Sequence, residues 1–99
     1  MKYVMSYELA PGGLELARVH GPAHRARLMA FHARGVLLMA GPFTDDTGGA
    51  LGIFTDRAAA EEFIRDDPFV TSGVVSRWTL REWREVFAPD PATMRPGPG

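Results

Sequence analysis

From Lys2 to Leu9 apolar and polar residues alternate. Tyr3, Met5, Tyr7 and Leu9 fall on one side, Val4, Ser6 and Glu8 on the other. A period of two is that of a half-buried strand. Ala10-Pro11-Gly12-Gly13 ends it, because proline removes a backbone donor and paired glycines free the chain. Leu14 to His20 reads as a connector with room for a short turn of helix. Gly21-Pro22 then opens a long helix, with proline early, where its missing N–H costs nothing. At about 100° per residue, His24, Leu28 and Phe31 share one direction with Arg27 beside them, while Arg25, His32 and Ala33 face away. Gly35 is a helix stop, and Val36 to Ala40 is an apolar run suited to a covered strand that Gly41-Pro42 breaks.

Phe43 to Gly49 is polar and turn-rich, hence a loop. Ala50 to Thr55 is a third strand, in which Gly52 marks a close backbone approach. Asp56 is a good N-cap for a second helix from Arg57 to about Asp66, whose stripe is Ala59, Ala60 and Phe63. Pro68 disfavours helical geometry at Asp67 and ends it there. After a Thr-Ser-Gly turn, Val74 to Leu80 alternates again as a fourth strand. Glu82 to Phe87 reads either as an extension of that strand or as a terminal cover.

The predicted order is β-α-β-β-α-β, an α+β ferredoxin-like arrangement in which an antiparallel four-stranded sheet carries two helices on one face. The opposite face, bearing either the Tyr3/Met5/Tyr7 set or the Val4/Ser6/Glu8 set, needs a cover if apolar. A homodimer through that exposed face is the expectation. Residues 1–87 form a single domain, and 88–99 are a Pro-rich tail expected to be disordered or loosely attached.

Ninety-nine residues suit one modest core. A formal charge of -1 gives no global pull toward nucleic acid or an anionic membrane. No apolar run approaches the roughly 20 residues needed to span a bilayer, and the N-terminus lacks a signal peptide's apolar core, so a cytoplasmic location is expected. Without cysteine there is no disulfide, thiol nucleophile or thiolate metal ligand. No GxSxG elbow or phosphate-binding glycine loop is present. His20, His24 and Asp67 have no familiar metal-ligand spacing, so neither metal nor cofactor is expected. The arginines, Arg25, Arg27 and Arg34 among them, read as a solvated surface.

Two residues carry candidate chemistry. His24 lies on the core-facing arc in the first turn of the predicted helix, where the half-dipole favours a neutral imidazole able to accept a proton. The competing reading is a half-buried histidine bonded to a carbonyl. Asp67 closes the second helix at an end where capping preference places no acid, and it points toward the covered side if the helix runs one residue on. Its competing reading is Asp-Pro as turn punctuation. Brought within hydrogen-bond reach, inside one subunit or across a dimer interface, the two form a general base with its orienting acid. The pattern alone leaves open whether the two helix ends meet.

The segment GPAHRARLMAFHARGVLLMAGPF, followed by an apolar strand, a helix and DDPFVTSGVV, resembles the YCII family. The likeness rests on Pro22 and His24, on Gly35, Leu37, Leu38, Ala40, Gly41 and Pro42, and on Asp67, Pro68, Phe69, Val70 and Gly73. It spans residues 2 to 87. It implies a dimeric α/β barrel, formed by two ferredoxin-like units sheet to sheet, and a His/Asp-centred site at His24 and Asp67. A family member acting as a dehydrochlorinase on a chlorinated hydroxyquinol points to aromatic or enol-like substrates. The expected function is therefore a small cofactor-free lyase, isomerase or dehydrochlorinase in which His24 moves a proton and Asp67 orients the imidazole. Gly41, Pro42 and Phe69 are expected to line the pocket, with Tyr3, Tyr7 and Arg77 as further wall candidates. The rival is a non-catalytic dimeric ligand-binding or accessory module.

Overall fold

A computed structural model describes residues 1–45 and 48–89. Along the chain run β1 (Lys2–Leu9), α1 (Gly13–Ala33), β2 (Leu37–Pro42), β3 (Ala50–Phe54), α2 (Arg57–Asp66), the short α3 (Pro68–Thr71) and β4 (Val75–Trp83). The sheet order is β2-β3-β1-β4, and every neighbouring pair is antiparallel. This is the ferredoxin-like α+β fold, with β1 inside the sheet and α1 and α2 on one face.

Register decides which face is which. Met5 pairs with Gly52 and Leu80, and Tyr7 with Ala50 and Trp78, so these residues share a face with Tyr3. That face is under the helices. Met5, Tyr7, Leu37, Phe54 and Val75 from the sheet meet Phe31 from α1 and Ala59, Ala60, Phe63 and Ile64 from α2 in one core. At its centre Phe63 has Phe31 edge-on at 5.2 Å and Phe54 tilted at 5.5 Å. Such aromatic pairs add to the stabilisation from area burial alone. Gly52 marks the expected close approach, since a Cβ there would lie 2.9 Å from the terminal methyl of Met5.

The Val4/Ser6/Glu8 set is the one on the uncovered face. It is joined there by Leu51 and Ile53 of β3, Met39 of β2, and Arg77, Thr79, Arg81 and Trp83 of β4. Glu82 to Phe87 turns out to be both alternatives in sequence. The strand runs to Trp83, and the chain then crosses the open face, where Phe87 and Pro89 share a groove with Met39, Ile53 and Trp83. Glu85 fastens it through Lys2 Nζ at 2.8 Å and the N-terminal amine at 3.2 Å. Phe87 nevertheless remains 91% exposed. The expectation of a loose tail falls mainly on 90–99, which lie outside the described residues, as do Asp46 and Thr47 of the predicted loop.

Three expectations are corrected. Leu14 to His20 is not a connector, because α1 is a single helix of 21 residues that starts at Gly13. Gly13 sits where the helix crosses the sheet, and a Cβ there would stand 2.8 Å from the Val74 carbonyl oxygen. Helix continues through Pro22 because the residue before it, Gly21, has no Cβ to clash with the ring. The cost is the missing N–H opposite the Arg18 carbonyl. His24 is consequently in mid-helix, and the N-terminal dipole argument does not apply to it. Gly41 and Pro42 do not break β2 but end inside it, which an outer strand tolerates. Among the described residues, no helix is long and apolar enough to cross a membrane.

Candidate functional site

Asp67 is the fixed point of the site. It is the C-cap of α2 and the N-cap of α3, at φ -68° and ψ 124°. Pro68 enforces this extended geometry, as expected of the residue before proline. The acid therefore serves as turn punctuation, and its Oδ1 accepts the Phe69 backbone N–H at 3.2 Å. It is also fully buried, at 0% exposure. A capping role alone does not require that burial.

Two further groups meet it. Mid-helix His24 turns Nδ1 to Asp67 Oδ1 at 2.7 Å. Tyr7, from β1, donates its hydroxyl to Asp67 Oδ2 at 2.7 Å. Both carboxyl oxygens are thus occupied as acceptors, and a buried acid is tolerated because its hydrogen bonds are made. An imidazole in the tautomer that donates Nδ1–H to this acid carries its lone pair on Nε2. Burial, and then the bond to the Asp67 carboxylate, push the Tyr7 hydroxyl far above the usual phenol range, so it holds its proton.

The imidazole is held from its sides as well. Phe69 stacks on it with centroids 3.8 Å apart and planes within 8°, and Phe63 meets it edge-on at 6.2 Å. His24 keeps 15% side-chain exposure. That residual access opens onto a cavity of about 360 Å³ between α1 and the sheet. Tyr7, His24, Gly41, Pro42 and Phe69, all singled out from sequence, lie on its wall. Tyr3 and Arg77 do not. Tyr3 is packed against the core, with the Arg57 guanidinium 5.5 Å from its ring. Arg77 pairs in register with Glu8 on the opposite face of the sheet.

Arg27, read from sequence as a solvated residue, instead supports the site from behind. Its Nε donates to the Phe63 carbonyl at 3.1 Å and its Nη2 to the Glu62 carbonyl at 2.7 Å. The Phe63 carbonyl is one of the last four of α2, which have no helical partner of their own. The guanidinium also lies 4.8 Å from the Phe31 ring and 5.5 Å from the Phe63 ring. The end of α2, and so Asp67, is tied to α1 by this residue. The sequence signal was its place beside the core-facing arc of the helix. Among the described residues, no group of three or more ligating side chains is gathered as a metal site.

Residues 1–84 match the YCII-related domain. Protein YciI of Escherichia coli O6:H1 and that of Shigella flexneri are each 32% identical over 98 residues, covering 88% of this chain and 100% of theirs. The fold is similar to that of 5-chloro-2-hydroxyhydroquinone dehydrochlorinase from Burkholderia phenoliruptrix, solved in complex with 2,5-dihydroxybenzoquinone. The TM-score is 0.72 at 23% identity, covering 85% of this chain and 94% of that one. An antibiotic biosynthesis monooxygenase shares the fold at TM-score 0.54 and 18% identity, covering 86% of this chain and 97% of the other. Match and identity over most of the sequence place the chain in the YCII-related domain family.

Proposed function

We propose that this protein is a small enzyme that moves a proton on an aromatic or carbonyl-bearing substrate, with His24 as the general base and acid. The observation that carries the reading is a buried Asp67 that holds both Tyr7 and His24, two residues on the wall of an otherwise largely apolar cavity. His24 Nε2 takes a proton from an acidic O–H or C–H of the bound substrate. Asp67 holds the ring through Nδ1 and stabilises the imidazolium that forms. Tyr7, kept protonated, fixes the second carboxylate oxygen so that the acid cannot rotate away from the imidazole. The proton then returns to another position of the substrate, as in an isomerase. Alternatively it leaves to solvent while a leaving group such as chloride departs, as in a lyase. The similar dehydrochlorinase fold supports chlorinated hydroxyquinols as first substrates to try. Gly41, Pro42 and Phe69 form the substrate wall. The reading includes a homodimer joined through the open sheet face and a cytoplasmic setting.

The test is turnover of a panel of chlorinated hydroxyquinols, hydroxyquinones and keto acids by the wild type, His24→Ala and Asp67→Asn. Turnover in the wild type and its loss in folded His24→Ala, by about 10²-fold or more, is the expected result. Ligand-induced thermal shifts without turnover would instead make the protein a binding module. Equal turnover in His24→Ala removes the base from the mechanism.

A further inference from the structure

The inward stripe of α1 is unusual in what it covers. Leu14, Ala17, Gly21, His24 and Leu28 recur at helical spacing and should bury against the sheet, yet all five line the cavity. Of the helix only Gly13 and Phe31 are fully buried. The middle of α1 is the roof of the cavity, held off the sheet rather than packed on it.

One residue beside that stripe bears a charge. Arg25 lines the cavity, and among the described residues no other permanently charged side chain does. It is exposed, so it stands at the mouth. Sequence periodicity placed it facing away, but a roof that spans a cavity presents a wider arc than one packed on a sheet. The neighbouring arginines are already engaged, Arg27 on the carbonyls of α2 and Arg34 on the Glu62 carboxylate. Arg25 makes no hydrogen bond or ion pair with any described residue, and the buried Asp67 is already saturated by its own donors. An arginine is a rigid bidentate donor suited to a planar carboxylate.

We propose that Arg25 binds the carboxylate of the ligand, and that the site takes a single-ring or similarly sized unsaturated monocarboxylic acid. This rests on the cavity and base assigned above and names the class of substrate they receive. About 360 Å³ is more than twice the roughly 150 Å³ of an engineered cavity known to hold benzene, which leaves room for one substituted ring. Leu9, Leu28, Pro42 and Phe69 give that ring apolar walls. Consecutive residues on a helix diverge by about 100°, so the base lies inside and the cation at the entrance. A ring between them puts its proton-yielding position near His24 and its carboxylate toward solvent at Arg25. A neutral phenol would leave the Arg25 guanidinium unused.

Calorimetric titration with 4-hydroxybenzoate and its neutral amide, 4-hydroxybenzamide, tests this without any turnover. The wild type should bind the carboxylate about tenfold or more tightly than the amide, the range of a charge-assisted hydrogen bond. Arg25→Gln, at an exposed position, should lose that preference while keeping its affinity for the amide, and Arg25→Lys should retain part of it. Ala17→Leu should remove binding of both, because Ala17 lines the cavity on the same helix and the larger side chain fills the roof. No preference in the wild type, or the same preference in Arg25→Gln, overturns the assignment of Arg25. Undiminished binding in Ala17→Leu overturns the cavity as the site. Absence of catalysis with preference intact overturns only the enzymatic reading.

Discussion

Nδ1 of His24 stands 2.7 Å from Oδ1 of Asp67, across 43 residues of chain. That one contact ties the middle of α1 to the junction of α2 and α3. Replacing Asp67 by asparagine turns one of its two acceptors into a donor, which must then face Tyr7 or the imidazole and Phe69 N–H. Asp67→Asn should lower stability by about 1–3 kcal/mol for the group left unpaired. Denaturant unfolding, with unchanged slope, checks the loss.

Tyr7→Phe keeps the ring in the core and removes only the hydroxyl. It should cost about 1–3 kcal/mol by leaving Asp67 Oδ2 short of its donor. The variant should also change the alkaline limit. A phenol held above its unfolded value of about 10 contributes stability that is full below that pH and falls as pH rises beyond it. Thermal unfolding followed upward from pH 9 should therefore decline less steeply in Tyr7→Phe than in the wild type.

At the acid end the sensitive group is Glu85. Lys2 and its own backbone hold its carboxyl down at about 2 against 4.5 unperturbed. A depressed acid contributes stability above its unfolded value, lost as pH falls through its folded one. The segment crossing the open face should release between about pH 4.5 and pH 2, seen as a change in tryptophan fluorescence from neighbouring Trp83. Glu85→Gln should show the released signal already at neutral pH.

Arg27→Met preserves the apolar stem and deletes both hydrogen bonds to the α2 carbonyls. About 1–3 kcal/mol is the expected cost, with the His24 ring resonances displaced as the end of α2 loosens. Arg34→Met is the control. Its ion pair with Glu62 is exposed on both sides, and such pairs contribute about 0–1 kcal/mol. A control variant that loses as much as Arg27→Met would remove the special role of these hydrogen bonds.

Periodicity read the strands and α2 well because each has one buried face and a clear stop, such as Asp56 capping Ala59 N–H at 2.7 Å. It failed over Leu14 to His20, where Gly12-Gly13 and Gly21-Pro22 look like breakers. A glycine before proline is the local exception that lets a helix pass. His24 and Asp67 stood out as an inward imidazole and an acid at the wrong helix end. Their meeting depends on helix packing that no local pattern encodes. Tyr7 carried a usable signal, since a tyrosine on the buried side of an inner strand needs a partner for its hydroxyl. Which acid would supply it was not legible. Arg27 was misread for a related reason: long charged side chains can lie along a core while their heads reach backbone carbonyls.

The two outer strands bear on how the molecule avoids growing into fibres. An unpaired strand border is a template for another chain unless something blunts it. Around Leu38 the register of β2 slips, and the strand finishes on a proline with no N–H to offer. Along β4, Arg77 and Arg81 place like charges where a second copy would have to dock. Lateral extension of the sheet is thus discouraged at both borders.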